Sequence, residues 1–282
     1  MKYLIYLTVG LLFLLPTGCE RNAQKVESTP ADSIGGSPLK SARANSDTLL
    51  TDSVSYSLSG AEGSCDVYID YPTGGPPQVV KALREFIRTT LLDDLTASVA
   101  DDPQSLAREY CERRQEAHAK TLEQMETAKV GADEAPEEGM EIRLLCLTDR
   151  FVTYEVYRYS YTTHAAHGEY AEYGVTFRLS DGRRMSYILN KVDENLFLHI
   201  REGLKRYFHV KSDAQLEAMC TTDLSLLPMP TFPPYMIREG VVFHYSIYDL
   251  CAFDDGDPKV LVPYPVAIPY MTEEARQLVP QD

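Results

Sequence analysis

The first 48 residues carry no pattern of a packed core, and they therefore set where a fold can begin. Lys2 supplies a short positive start, and Leu4 to Leu15 form an apolar run. That run is too short to span a bilayer as a settled helix and has the length found in signal peptides. Two small residues then directly precede Cys19, as they do in bacterial lipoproteins. The sequence predicts a signal peptide over residues 1–18 and lipidation of Cys19.

The segment after Cys19 is polar and rich in Ser, Ala, Pro and Gly up to residue 48. Such a segment buries too little apolar surface to offset the entropy lost on ordering. We interpret residues 19–48 as a flexible tether between the lipid anchor and the folded part. The expected location is the bacterial cell envelope, either periplasmic or surface-exposed.

The charge of the chain is strongly negative. There are 27 Lys and Arg against 42 Asp and Glu, which gives a net charge of −15. Loss of Lys2 with the signal peptide would make the mature chain one unit more negative. This balance argues against nucleic acid, which requires a basic footprint. It suits a cationic protein partner, although simple solubility is the alternative explanation.

Five cysteines remain after Cys19, at positions 65, 111, 146, 220 and 251. In an oxidising compartment an odd number is compatible with two disulfides and one free thiol, and the sequence leaves the pairing open. Buried free thiols are the alternative. None of the five has the C-x-x-C spacing of zinc or redox motifs, so we predict no metal and no cofactor.

Periodicity from residue 49 onward predicts an α+β fold with antiparallel sheets and packed helices. The predicted strands are Ser53–Ser59, Cys65–Tyr71, Met140–Leu147, Phe151–Thr162, Ala171–Leu179, Met185–Leu189, Val241–Leu250 and Val260–Tyr264. The predicted helices are Pro77–Leu95, Pro103–Lys129, one from a cap at Asp193 to Phe208, Asp213–Met219, and one from a cap at Thr272 to Leu278. Residues 131–139 are expected to form an acidic loop, and Asp181-Gly182 a hairpin turn.

One predicted strand is unusually rich in tyrosine. Tyr154 differs in parity from Tyr157, Tyr159 and Tyr161, so it is expected on the opposite face of the sheet. Aromatic residues on strands most often pack in or near the core. An exposed row is the alternative, and it would suit stacking on sugar rings or a protein interface.

Three stretches of the sequence resemble a known family. They read VYIDYPTGGPPQVVKALREFI, YTTHAAHGEYAEYGVTFRLSDGRRMSYILNKVDENLFLHIREGLKRYF and LPMPTFPPYMIREGVVFHYSIYDLCAFDDGDPKVLVPYPVAIPYMTEEARQL. They are similar to the extracytoplasmic domains shared by RsiV-type anti-sigma factors and PdaC-type peptidoglycan deacetylases. One departure is His164-Ala165-Ala166-His167, where the family commonly has Gly-Gly-Ala-His.

The resemblance implies an N-terminal α+β part over residues 49–150 and an RsiV C-terminal-like domain over residues 151–282. In RsiV-type proteins this region senses lysozyme by binding it, and in PdaC-type proteins it accompanies a separate deacetylase domain. Neither a following catalytic domain nor a cytoplasmic segment is expected for this chain. The resemblance therefore implies a freestanding, lipid-anchored binding or sensing module.

The pair His164 and His167 is the sharpest local candidate for chemistry. Glu169 is close enough in sequence to add a carboxylate to a metal site. Two histidines without an assured third ligand seldom define such a site, so a role in stabilising the turn is the favoured interpretation.

A second candidate group is acidic. Asp249, Asp254, Asp255 and Asp257 follow a predicted strand, where carboxylates bind cations or act in acid–base chemistry. A solvated loop around Gly256 is the commoner explanation. The binding candidates are therefore His164, His167, Tyr161, Tyr170, Tyr248, Asp249, Asp254 and Asp255, and no catalytic residue is assigned.

Two functions follow from the sequence. The first is a non-catalytic envelope module that binds a cationic protein such as lysozyme, or peptidoglycan. The second is a metal-dependent envelope hydrolase or deacetylase that uses His164, His167 and nearby acids. The sequence contains no G-x-S-x-G, P-loop, Rossmann or H-E-x-x-H pattern. We therefore favour the binding module over the enzyme.

Overall fold

A computed structural model describes residues 48–92, 102–127, 135–220, 223–224 and 227–281. The predicted signal peptide, Cys19 and nearly all of the predicted tether lie outside these residues. So do the last three residues of the first predicted helix, the last two of the second, and residues 131–134 of the predicted acidic loop. The loop prediction is wrong for residues 137–139, which belong to a strand. Residues 43–282 form one compact unit. Within the described ranges, every helix is too short or too polar to cross a membrane.

A five-stranded sheet forms the first layer. Its strands are β1 (Leu50–Gly60), β2 (Gly63–Gly74), β3 (Glu137–Leu147), β4 (Phe151–Tyr161) and β5 (Glu169–Arg178), in the spatial order β1-β2-β3-β4-β5. All neighbours are antiparallel except β2 and β3, which are parallel. Parallel neighbours require a crossover connection. The helices α1 (Pro77–Leu92) and α2 (Pro103–Thr127) lie within that connection.

The two helices cover one face of this sheet. The apolar residues Leu83, Ile87 and Leu91 of α1 are at most 3 % exposed. Tyr154 on β4 is fully buried in the same cluster, which confirms that it lies on the opposite face from the other tyrosines of β4. A disulfide between Cys65 on β2 and a cysteine of α2, Cys111, joins helix to sheet.

The second half of the chain adds a smaller sheet and further helices. These elements are α3 (Glu194–Tyr207), α4 (Asp213–Met219), β6 (Tyr235–Ile237), β7 (Gly240–His244), β8 (Lys259–Pro263), α5 (Tyr264–Ala267) and α6 (Glu273–Arg276). The small sheet is antiparallel, in the order β6-β7-β8. The predicted cap of α3 is confirmed, since the Asp193 carboxylate accepts hydrogen bonds from the backbone of Asn195 and Leu196.

The small sheet packs against the face of β4 and β5 that α1 and α2 leave uncovered. Thr153 Oγ1 donates to the Met236 carbonyl at 2.6 Å, and Thr176 Oγ1 accepts from the Met236 backbone at 3.0 Å. These bonds satisfy buried polar groups that would otherwise destabilise the junction. The predicted boundary between residues 150 and 151 falls between β3 and β4 of one sheet, and it stays a prediction.

The α+β architecture is confirmed, but one predicted strand is absent and another is shorter than predicted. The ends of the other predicted strands differ from the observed ones by at most three residues. Residues 185–189 form no strand after the turn at Asp181. A single bridge joins Phe177 to Arg184, and the chain then pairs through Leu189 with Met271. The strand predicted over residues 241–250 ends at His244.

The early end of β7 has a local cause. The Ser246 backbone donates to Asp249 Oδ2 at 2.9 Å, while the Asp249 backbone donates to the Ser246 carbonyl at 3.0 Å. This tight turn directs the chain away from the sheet, since its backbone groups are satisfied locally rather than by a neighbouring strand.

Candidate functional site

The face of the large sheet opposite α1 and α2 is only partly covered. The small sheet covers it near Gly174, where an added Cβ would lie 2.3 Å from the Tyr235 ring. Elsewhere the strand register aligns two rows of exposed or half-buried residues across all five strands. The rows are Ser57-Asp66-Gly139-Tyr159-Tyr170 and Ser55-Tyr68-Glu141-Tyr157-Glu172. We call these two rows the open sheet face.

Hydrogen bonds order the β1–β3 part of this face. Ser53 Oγ donates to Asp70 Oδ1 at 2.8 Å, beside the Tyr68 hydroxyl. The Arg143 guanidinium lies 3.9 Å from the centre of the Tyr68 ring, and its Nε donates to Glu141 at 2.7 Å. That hydrogen bond raises the pKa of Arg143 above its ordinary value. Carboxylates nevertheless outnumber this one arginine, so the face favours partners that carry positive charge or hydroxyl groups.

An aromatic cluster adjoins the open sheet face where β4 and β5 approach the loop after β7. Tyr157 and Tyr170 lie 6.1 Å apart between ring centroids, and Tyr170 meets Phe253 edge-on at 6.0 Å. Phe253 in turn stacks on His167 at 3.9 Å. Tyr248 completes the cluster at 6.0 Å from Phe253 and remains 57 % exposed. These five residues are the aromatic cluster, and its rings provide a partly solvent-accessible platform.

His167 is held in the cluster by both of its ring nitrogens. Nδ1 lies 3.0 Å from the Gly168 carbonyl oxygen, which can only accept a hydrogen bond. In the neutral ring Nδ1 therefore carries the hydrogen, and Nε2 accepts from the Tyr248 hydroxyl at 3.1 Å. Tyr248 itself has a left-handed φ of 67°. A residue other than glycine rarely adopts this backbone conformation unless its surroundings hold it there. For Tyr248, the contacts of the loop provide that restraint.

A charged cluster lies next to the aromatic cluster and consists of Glu155, Glu172, His244, Asp257 and Lys259. Lys259 Nζ donates to Glu155 Oε1 at 3.2 Å and also contacts the Glu172 carboxylate. His244 Nε2 lies 3.1 Å from Asp257 Oδ2, and His244 is only 2 % exposed. The cluster joins β4 and β5 of the large sheet to β7 and β8 of the small one.

The pKa values of the two glutamates of the charged cluster are shifted in opposite directions. Burial and the adjoining Glu155 carboxylate raise the pKa of Glu172 to about 7. Burial acts in the same direction on Glu155, but its hydrogen bond with Glu172 and the Lys259 ammonium outweigh that effect and lower its pKa. Burial opposes the charge of Lys259, yet the two carboxylates raise its pKa overall. Near neutral pH Glu172 is therefore the group that exchanges a proton.

Comparison with known proteins identifies the fold. A DUF3298 family member from Bacteroides fragilis NCTC 9343 superposes with a TM-score of 0.65, at 19 % identity over 82 % of this chain and 96 % of that one. A DUF3298 family protein from Pseudomonas aeruginosa PAO1 superposes with a TM-score of 0.56, at 16 % identity over 84 % and 99 % of the two chains. The chain has the DUF3298 fold. No family model and no curated protein matches the sequence.

The DUF3298 fold brings together three of the predicted binding candidates. His167, Tyr170 and Tyr248 meet in the aromatic cluster, although 81 residues separate the first from the last. Tyr161 lies farther along β4, where with Tyr159 it lines an open hollow of about 600 Å³. The structure places these residues but does not test whether they bind a ligand, so their binding role stays a prediction.

The remaining candidates lie around the aromatic cluster. His164 is in the turn between β4 and β5 and has a φ of 69°. Asp249 accepts from the Thr231 backbone at 3.2 Å and from its hydroxyl at 2.6 Å, so it anchors the loop that carries Tyr248. Asp254 and Asp255 belong to the 3₁₀ turn that begins with Phe253, with Asp254 exposed and Asp255 half-buried.

One group of described residues has the geometry to hold a metal ion, and it excludes His164 and His167. Ligand atoms of Glu172, His244 and Asp257 all lie within 4.8 Å of one another. A cation there would compete with the Lys259 ammonium, which already contacts Glu172. The carboxylates and the imidazole suit a divalent transition metal, but the lysine makes the fit poor.

Sequence reasoning singled out only Asp257 of the charged cluster and missed its other four members. Glu155 and Glu172 look like ordinary polar positions in alternating strands. Their partner Lys259 lies 104 and 87 residues farther along the chain, respectively. One signal was present, since Glu155 shares its parity with Tyr157 and so belongs to the same face. Phe253 was not among the predicted binding candidates.

Proposed function

We propose that this protein is a non-catalytic binding or sensing lipoprotein of the bacterial cell envelope. The apolar run before Cys19 supports the lipid anchor, and the polar segment over residues 19–48 supports the tether. Recognition is assigned to the aromatic cluster and the adjoining open sheet face. The resemblance to RsiV-type domains suggests the same kind of role.

The observation that carries this proposal is the continuity of partly exposed aromatic rings with carboxylates. Tyr157 and Tyr170 belong to both the open sheet face and the aromatic cluster, so the two surfaces are contiguous. Tyrosines provide rigid contact area and attract cationic side chains through their ring faces. The net charge of −15 would also accelerate encounter with a positively charged protein. Lysozyme is the cationic partner that we test first.

Binding is measured by calorimetric titration of residues 43–282 with lysozyme, because this segment is one compact unit that contains both hydrophobic clusters. We expect a micromolar or tighter complex that weakens as salt rises from about 50 to 200 mM, since surface charges are screened. Tyr170→Ala should weaken binding about tenfold or more.

The matched control is Tyr187→Ala, which removes a tyrosine that is 82 % exposed and lies outside the cluster. It should leave the dissociation constant unchanged. Lack of binding by the folded protein at micromolar concentrations would exclude lysozyme. Equal effects of the two substitutions would exclude the aromatic cluster as the contact. Sedimentation with purified peptidoglycan sacculi then tests the glycan alternative, in which sugar rings stack on the same tyrosines.

The anchor is tested separately in the full chain expressed in bacteria. Metabolic labelling with a fatty acid should label the wild-type protein, and Cys19→Ser should abolish the label. Cys146→Ser is the control, because it removes a cysteine from the folded part. Equal labelling of all three proteins would contradict lipidation at Cys19.

A metal-dependent hydrolase or deacetylase is the second candidate function. The grouping of Glu172, His244 and Asp257 favours it, and the neighbouring Lys259 opposes it. Metal analysis of the purified protein, with assays on peptidoglycan fragments, separates the two functions. A stoichiometric metal that His244→Ala removes, together with activity, would support the enzyme.

A further inference from the structure

Two cysteines face one another at the base of the loop that carries part of the aromatic cluster. Cys220 directly follows α4, and Cys251 lies two residues before Phe253. Their sulfur atoms are 2.9 Å apart. The two residues also form an isolated antiparallel bridge, so their backbones are directly opposed.

This arrangement meets the geometric requirement for a disulfide. Directly opposed residues in an antiparallel pair have Cα atoms about 4.5–5.5 Å apart. Disulfides span Cα separations of roughly 4.4–6.8 Å, so the two thiols can be joined without backbone movement. Cys146 lies elsewhere, where the backbone of Arg238 hydrogen-bonds to it.

We propose that Cys220 and Cys251 form a second disulfide, which fixes the loop that presents Tyr248 and Phe253. The disulfide between Cys65 and Cys111 supports this pairing, because a fold that carries one such bond is suited to an oxidising compartment. Cys146 then remains the single free thiol among the five cysteines of the folded part.

The reaction requires a disulfide oxidant such as oxidised glutathione. The thiolate of one cysteine attacks the oxidant and releases one molecule of glutathione, which leaves a mixed disulfide on the protein. The second thiolate then attacks the protein sulfur of that bond and releases the second glutathione. Two thiols are oxidised and one glutathione disulfide is reduced to two glutathiones, with both thiol protons transferred to the products.

The surroundings of the two thiols indicate when the bond forms. Cys251 is 2 % exposed, and burial raises the pKa of both thiols. The reactive thiolates are therefore scarce once the loop has docked, and an oxidant reaches them poorly. Oxidation takes place during folding, and the finished bond is shielded from reductants.

The bond also bears on the candidate binding surface. Cys251 lies between Tyr248 and Phe253, and Asp249 anchors the same loop through Thr231. A covalent link at Cys251 restricts the positions that both aromatic rings can adopt. A partner that binds this loop then loses less conformational entropy, since part of the ordering has already occurred.

Counting of free thiols tests the pairing. Residues 43–282 are refolded in a glutathione redox buffer and then denatured in the presence of an alkylating reagent, which labels every free thiol. Mass spectrometry then gives the number of alkylated cysteines from the added mass. We expect one alkylated cysteine in the wild-type protein, none in Cys146→Ser, and two in either Cys220→Ser or Cys251→Ser. A non-reducing peptide map should join the peptides that contain Cys220 and Cys251.

Three alkylated cysteines in the folded wild-type protein would overturn the proposal, and so would two in Cys146→Ser. Because a serine variant can fail to fold, wild-type protein is also compared before and after reduction by hydrogen exchange. Amides of residues 245–253 should exchange at least about tenfold faster after reduction. Reduction also breaks the bond between Cys65 and Cys111. A folded Cys220→Ala variant, in which only that bond can be reduced, should therefore show no such increase on reduction. Unchanged exchange in that loop would show that the bond does not restrain it.

Discussion

Replacement of Glu172 by glutamine tests the charged cluster most directly. The carboxyl has a pKa of about 7 in the folded protein, against an ordinary value near 4.5. The folded state therefore holds the Glu172 proton more tightly than the unfolded state does. The free energy of unfolding should fall as pH rises from about 4.5 to 7 and should level off above that range. Glutamine keeps a hydrogen-bonding side chain of the same shape but removes the titration.

The magnitude follows from the pKa difference. One pKa unit corresponds to about 1.4 kcal/mol, so the full contribution of Glu172 is about 3 kcal/mol. Only 15 % of its side chain is exposed, and solvent screening therefore removes little of this value. About 2 to 3 kcal/mol of the change falls between pH 5 and pH 8. Glu155 does not interfere, because its pKa is lowered and the stability that it contributes is lost only below that window.

The assay is urea unfolding of wild type and Glu172→Gln at several pH values. The free energy of unfolding of the variant, relative to wild type, should rise by about 2 to 3 kcal/mol from pH 5 to pH 8. Glu169→Gln is the matched control, since Glu169 is exposed on the same strand and the charge change is identical. A difference for Glu172→Gln that stays flat with pH, or that falls, would refute the raised pKa of Glu172.

Three further perturbations test the packing that positions the site, each by urea unfolding at neutral pH. Loss of the bond between Cys65 and Cys111, by substitution of both with serine, should cost about 4 kcal/mol, because it closes a loop of 46 residues. An unchanged midpoint would contradict this. Gly203→Ala should cost about 1–3 kcal/mol, because the new Cβ would lie 2.2 Å from Val260 Cγ1. A gain in stability would show that α3 shifts freely. Thr153→Val should cost about 1–3 kcal/mol, because it leaves a buried β6 carbonyl unpaired. A neutral result would mean that another donor replaces the hydroxyl.

Local signals account for the elements that the sequence predicted well. In α3, a capping aspartate at position 193 precedes apolar residues at 196, 200 and 204, which recur at helical spacing and are all buried. Each of these signals acts within one or two turns of helix, so it needs no knowledge of the rest of the chain. The same is true of the cap at Thr272, whose side chain accepts from Ala275.

Strand partners were harder to predict because pairing depends on distant segments. Residues 185–189 have strand-like alternation, yet Leu189 pairs with Met271 rather than continuing along β5. The parallel pairing of β2 with β3 likewise depends on how the two intervening helices pack. Neither outcome is encoded in the periodicity of a single segment.

The candidate site shows the same limit at the level of side chains. The sequence singled out His167 and Tyr248 as residue types that suit recognition, and only the fold places the Tyr248 hydroxyl 3.1 Å from the imidazole. Glu172 carried no such signal. Its raised pKa arises mainly from burial and from Glu155 beside it, which are tertiary effects on an unremarkable strand position.

The aromatic cluster and the charged cluster both lie where the large sheet meets the small one. A ligand bound there can therefore contact both parts of the fold. Tyr170 belongs to β5, whereas Phe253 belongs to the loop after β7. A ligand that contacts both is expected to stabilise the two parts together, by about 2.7 kcal/mol at a concentration 100 times its dissociation constant. With lysozyme as the ligand, hydrogen exchange should slow in β5 and in residues 245–258 alike. Protection confined to one of the two segments would mean that the ligand does not bridge the junction, and the aromatic cluster would then not be the sensing surface.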